Sequence, residues 1–176
     1  MIQTEERAKT IQEPTVHDVA KAFLRLESMT PKKLQKLCYY AYSFYLAIYE
    51  KKLFDDNFEA WVHGPVNPQL YTEYREYGWQ EIPQEINYPN SIMKNERVRE
   101  IIEEVYESYG HLDGSQLEYL TRQEDPWKNA RNRLQPYESS RNVIDDEDIR
   151  SYYVGLLRNW IKSKFVCKFP QLDCAT

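Results

Sequence analysis

Residues Thr30 to Tyr49 read TPKKLQKLCYYAYSFYLAIY, and the placement of their apolar side chains decides the fold. A hydroxyl at Thr30 can satisfy a free N–H of a first helical turn, and Pro31 supplies a preset φ where no donor is needed. From there Leu34, Leu37, Cys38, Ala41, Tyr45 and Ile48 recur at helical spacing as one continuous stripe. Tyr39, Tyr40, Tyr42 and Tyr49 lie largely off that stripe. A helix that is apolar nearly all round belongs near the middle of a domain, packed on two sides.

Working outward, the same cap-then-proline device recurs at Asn67-Pro68 and Asp125-Pro126, which predicts two more helix starts. Thr15 with Asp18 resembles a capping box and opens a helix through Val19, Ala20, Phe23 and Leu24 to Leu26. The segment Ile92 to Tyr109 carries Val98, Ile101, Ile102 and Val105 at helical spacing and meets a stop at Gly110. Ser115 with Glu118 reads as a further capping box, ahead of Leu117, Leu120 and Thr121. The helix opened at Asp125-Pro126 carries Trp127, Ala130 and Leu134 and halts before Pro136. Asp145 to Asp148 precede a last helix bearing Ile149, Tyr152, Tyr153, Leu156, Leu157, Trp160 and Ile161. Short extended pieces fit Phe54 to His63 and Trp79 to Ile82, without a real sheet. The expected fold is mainly α: one compact multi-helix domain around a central aromatic-rich helix. Residues 15–162 form that domain, with a flexible segment 1–14 before it and a tail 163–176 after it.

The 176 residues suffice for one core. Hydrophobic residues make up 41% and charged residues 29%, which excludes global disorder. Fifteen tyrosines are unusual; tyrosine couples apolar area to a polar tip and serves cores and interfaces alike. No apolar run approaches a membrane span, and the polar N-terminal stretch lacks a signal-peptide pattern, so the expected location is the cytoplasm. Net charge is −5, yet Arg150, Arg158, Lys162, Lys164 and Lys168 share a stretch with no acid, leaving −10 on the remainder. That asymmetry marks an interaction surface. The stretch LRNWIKSKFVCKF interleaves basic and aromatic residues as single-strand binders do, but the acidic remainder argues against nucleic acid.

Chemistry-bearing residues point away from an enzyme. Cys38, Cys167 and Cys174 make no disulfide framework, and His17, His63 and His111 stand in no zinc-ligand spacing. No nucleophile elbow, Cys/His signature or phosphate-binding glycine loop is present, so no cofactor or metal is expected. The carboxylates of Asp145 to Asp148 complement a helix N-terminus, and Asp55-Asp56-Asn57 reads as a turn.

The passage FEAWVHGPVNPQLYTEYREYG, Phe58 to Gly78, encodes an extended segment, a rigid corner and a helix start. Gly64 relieves the restriction that Pro65 places on its predecessor, Asn67 caps, and Leu70, Tyr71, Tyr74 and Tyr77 share a broad face that ends at Gly78. Trp61 is expected to anchor the corner in the core, with His63 a hydrogen-bonding neighbour of the turn.

Several of these pieces together resemble the Panacea antitoxin domain, a family filed as phage-associated GepA-like or SocA-like proteins. They are Thr30-Pro31 with Leu34, Lys36 and Leu37; Tyr39-Tyr40; Ala60-Trp61; Gly64-Pro65-Val66; Tyr71; and Leu120-Thr121 followed by Pro126-Trp127. Members usually carry histidine after that threonine, where this chain has Arg122. The resemblance implies a helical, non-enzymatic domain that neutralises a toxin encoded by a neighbouring gene, with partners that differ between members. Tyr39, Tyr40, Tyr42 and Tyr49, together with Arg158, Lys162 and Lys164, are the candidate toxin-facing residues. A homo-oligomer stays open. So do three rival roles: a proteolytic adaptor delivering a bound partner to a protease, a DNA-binding autorepressor, and an enzyme built on His63.

Overall fold

The computed structural model describes the backbone of residues 12–168 and the side chains of residues 12–159. The described residues contain eight α-helices, one two-stranded hairpin and a short 3₁₀ turn at Arg75–Tyr77: α1 Val16–Leu26, α2 Pro31–Tyr49, β1 Glu59–Trp61, β2 Gly64–Val66, α3 Pro68–Tyr74, α4 Asn90–Met93, α5 Glu96–Tyr109, α6 Gly114–Gln123, α7 Asp125–Arg131 and α8 Asp146–Lys168. The fold is mainly α, as the periodicity predicts.

Three helix starts follow local rules. Thr15 and Asp18 exchange hydrogen bonds in a complete capping box. Thr30 accepts from the Lys33 N–H, and Asn67 from the Leu70 N–H, each followed by proline in the first turn. The aspartate run does what the helix dipole favours: Asp145 Oδ1 accepts from the N–H groups of Glu147 and Asp148.

Helix α2 runs through the centre, with α1, α5, α6 and α8 against it and the hairpin near its N-terminal half. Leu34, Leu37, Cys38 and Ala41 are buried as the stripe requires. The stripe fails at its end: Ile48 is 45% exposed, at a shallow groove between α2, α5 and α8. Off-stripe Tyr39, Tyr40 and Tyr42 are buried too, which corrects the expectation that they face a partner. The cause is enclosure: with neighbours on all sides, α2 has no free face along this stretch. The Tyr40 ring stacks on Tyr109 at 4.1 Å, Tyr39 meets Phe58 edge-on at 5.2 Å, and Tyr42 packs on Phe54 and Phe58. Such pairs contribute about 0.5–1.5 kcal/mol each beyond area burial. The Tyr42 hydroxyl donates to Asp146 at 2.7 Å, tying α2 to the start of α8.

Other departures have equally local causes. The segment expected as one helix from Ile92 to Tyr109 is two, because Asn95 caps Val98 and starts α5 afresh. Gly110 ends α5 with right-handed angles; its missing Cβ avoids the Tyr106 carbonyl. The α6 capping box is Asp113 with Gln116, not Ser115 with Glu118. Asp125 lies inside α7 rather than capping it, and Glu124 occupies the cap position while its side chain points into the core. A short antiparallel hairpin does form, and the Ala60 N–H also donates to the Asn142 carbonyl. The Trp79–Ile82 piece contributes a single bridge from Ile82 to Met29. Helix α8 runs on to Lys168.

Candidate functional site

Most of the motif residues that the sequence scatters over a hundred positions converge on the β1–β2 hairpin. Its register pairs Trp61 with Gly64, so Val62 and His63 form the tip. Gly64 has φ +93°, and a Cβ there would stand 2.9 Å from Thr121 Oγ1 and 3.0 Å from Lys36 Nζ. Glycine is required both by backbone angle and by space. From α2, Gln35 grips Asn67 twice, donating to its carbonyl and accepting from its N–H. From the next residue, Lys36 donates to the Pro65 carbonyl at 2.8 Å. From α7, Trp127 Nε1 donates to the Trp61 carbonyl, and buried Arg131 donates to the carbonyls of Ala60, Gln135 and Glu138. Side chains thus serve as the sheet partners that a three-residue hairpin lacks.

Lys36 is the least expected of these groups. It is fully buried, and that burial pushes its pKa from 10.5 down to about 7; Lys32 and Arg122 add to the fall, and Glu118 opposes it. Glu124 is its counterpart in the core. Burial pushes its carboxyl from 4.5 up to about 7, against the pull of the Tyr153 hydroxyl, which donates to Glu124 Oε2 at 2.9 Å.

Above the hairpin, Glu118 collects nitrogen donors. Lys32 Nζ lies 2.6 Å from one oxygen, His63 Nδ1 2.8 Å from the other, and Arg122 Nη1 3.6 Å away. Burial alone would raise the Glu118 carboxyl; hydrogen bonds from Lys32 and His63, with their charge, outweigh it and hold the group below its usual range. His63 is 70% exposed and held only from this side, a hydrogen-bonding neighbour of the turn. Lys32 also stands over the Trp79 ring at 5.2 Å, and Trp79 is 83% exposed. Next along α6, Tyr119 is 67% exposed and opens onto a basic groove of about 430 Å³ at α7. Trp127 sits in that groove, with Arg122 at 5.4 Å and Arg131 at 5.0 Å from its ring.

The sequence-predicted site residues divide accordingly. Pro31, Leu34, Lys36, Leu37, Gly64, Pro65, Val66, Thr121, Pro126 and Trp127 belong to the hairpin clamp or the core beneath it. Trp61 is only half-buried, its ring against Tyr71, and Trp127 takes the anchoring role expected of it. Tyr49 is half-buried under Arg97, and Arg158 is exposed on α8. Lys162 and Lys164 lie outside the described side chains, as do Cys167 and Cys174. Glu118, Lys128, Arg131 and Arg133 escape a sequence reading that takes Glu118 for a cap. The signal available is the basic bias of Arg122 to Arg133, four cations against Glu124 and Asp125.

Among the described residues no group of His, Cys, Asp or Glu is placed to hold a metal, and no helix is long and apolar enough to cross a membrane. A family model described as the antitoxin SocA-like Panacea domain matches residues 34–128, just over half the chain. No curated protein and no solved structure matches.

Proposed function

The chain belongs to the SocA-like Panacea antitoxin family, and from that premise we propose that it neutralises a protein toxin by direct contact, through the aromatic and basic face carried by α6, α7 and the start of α2. Family membership is the observation that carries this reading; a toxin-antitoxin role and a toxin partner follow from it at the level of the family. The mechanism is steric. Trp79 and Tyr119 offer large, stiff aromatic surface, and Lys32 and Arg122 border it with charge held in place by Glu118. Aromatic anchors with arginine at their side are the usual energetic centre of a protein interface. The clamped hairpin beneath keeps the face preorganised, so less ordering cost is spent on binding. Arg158 and, beyond the described side chains, Lys162 and Lys164 add charge that speeds encounter with an acidic partner in the cytoplasm, and half-buried Tyr49 adds aromatic surface.

Co-expression with the product of the adjacent reading frame tests the reading. A blocker co-elutes with the toxin as a stable complex at undiminished toxin abundance. Protease-dependent loss of the toxin would replace blocking with delivery to a protease, and failure to co-elute would remove the proposal.

A further inference from the structure

The groove beside Trp127 has a chemistry of its own. Its lining supplies Arg122, Lys128, Arg131 and Arg133 with no acidic side chain, in a protein whose net charge is −5. Arg131 is committed to three carbonyls, but Lys128 and Arg133 are exposed and form no ion pair among the described residues. Arg122 Nε is buried without a hydrogen-bond partner there, although its Nη1 approaches Glu118. An unpaired buried donor is a local cost, and the remainder of the Arg122 side chain, 32% exposed, lines the groove. The rim is also held in strained backbone: Asn132 and Arg133 both adopt left-handed angles, φ 45° and 69°, which non-glycine residues resist. That turn carries Arg133, which lines the groove together with Lys128. Apart from Gln123, the remaining wall is largely apolar, from Tyr119, Trp127, Leu134 and Pro136.

We infer that this groove is a carboxylate-recognition site for an acidic segment of the partner protein, seating an aspartate or glutamate side chain between Arg122, Lys128 and Arg133 and an adjoining apolar residue against Tyr119 and Leu134. Guanidinium groups match carboxylates with paired donors, and the apolar wall favours a peptide over a bare phosphate. The inference rests on the antitoxin reading for the identity of the partner, and on the groove alone for its chemistry.

Two arms separate those supports. In the first, an acetylated Glu-Glu-Leu-Glu peptide is titrated into the ¹⁵N-labelled chain. Saturable shifts confined to α6, α7 and the Asn132–Arg133 turn, lost in the double variant Lys128→Glu/Arg133→Glu, are expected; absent or scattered shifts overturn the site. Inorganic phosphate or ATP producing the same shifts at lower concentration overturns the assignment to a protein carboxylate. In the second, affinity for the neighbouring gene's product is measured. The double variant should bind at least about tenfold more weakly at low salt, with the difference shrinking at high salt. Unchanged affinity overturns the groove while leaving the antitoxin role intact. No binding by the wild-type chain overturns the antitoxin role, and the peptide arm then decides the groove by itself. Both substituted side chains are exposed, so an unaltered thermal midpoint confirms that folding is not the cause.

Discussion

Replacing Lys36 with methionine keeps most of the side chain's length and removes the terminal amine with its proton, which makes the cost of burying that amine measurable. In the folded chain its pKa falls from 10.5 to about 7, a displacement corresponding to about 5 kcal/mol between charged and neutral forms. Between those two pH values the unfolded chain holds the proton and the folded chain does not, so stability rises with pH. Below pH 7 both states are protonated and this contribution is lost. The slope is about 1.4 kcal/mol per pH unit, so wild type should gain about 2 kcal/mol on Lys36→Met between about pH 7.5 and about pH 9. Loss of the bond to the Pro65 carbonyl adds a constant offset that leaves the slope untouched. Urea unfolding of both chains across this range measures the difference, and other titrating groups cancel. A stability gap that stays flat with pH would refute a buried, largely neutral Lys36.

Glu124→Gln should show the opposite trend. Its folded pKa is raised from 4.5 to about 7, so wild type loses stability relative to the variant by about 1.4 kcal/mol per unit as pH rises through that window; urea midpoints that track each other there would contradict the burial. Gly64→Ala meets both a positive φ and the atoms of Thr121 and Lys36, and should cost about 2 kcal/mol or more, read as a lowered thermal midpoint. His63→Gln keeps a donor toward Glu118 at an exposed tip; rescue from the toxin should persist, and complete loss in a folded variant would revive the enzymatic alternative.

Legibility in the sequence follows the range of the interactions concerned. Helix starts at Thr15, Thr30 and Asn67 are settled by atoms three residues apart, and the sequence displays them openly. Competing caps are already less clear: Asp113 with Gln116 and Ser115 with Glu118 satisfy the same pattern, and tertiary use of Glu118 by Lys32 and His63 decides between them. Asn95 carries a legible cap, but the apolar spacing continues across it and masks the break. The hairpin is too short to announce itself by alternation. Burial of Lys36, Arg131 and Glu124 depends on which carbonyl or hydroxyl arrives from a distant segment, and single-residue hydropathy points the other way. Tyr39, Tyr40 and Tyr42 mislead for a related reason, since a stripe drawn on one helix does not count how many neighbours surround it. The candidate face was not legible, because Trp79 meets Lys32, and Lys32 meets α6 at Glu118, across long stretches of chain.

The central claim is that this chain neutralises the toxic product of a neighbouring gene, and growth of cells carrying the adjacent reading frame tests it most directly. Expression of that frame alone should arrest growth, and co-expression of the wild-type chain should restore it, with Lys128→Glu/Arg133→Glu restoring it less well. Growth unaffected by the neighbour, or arrest that the well-expressed wild-type chain leaves in place, would contradict the account.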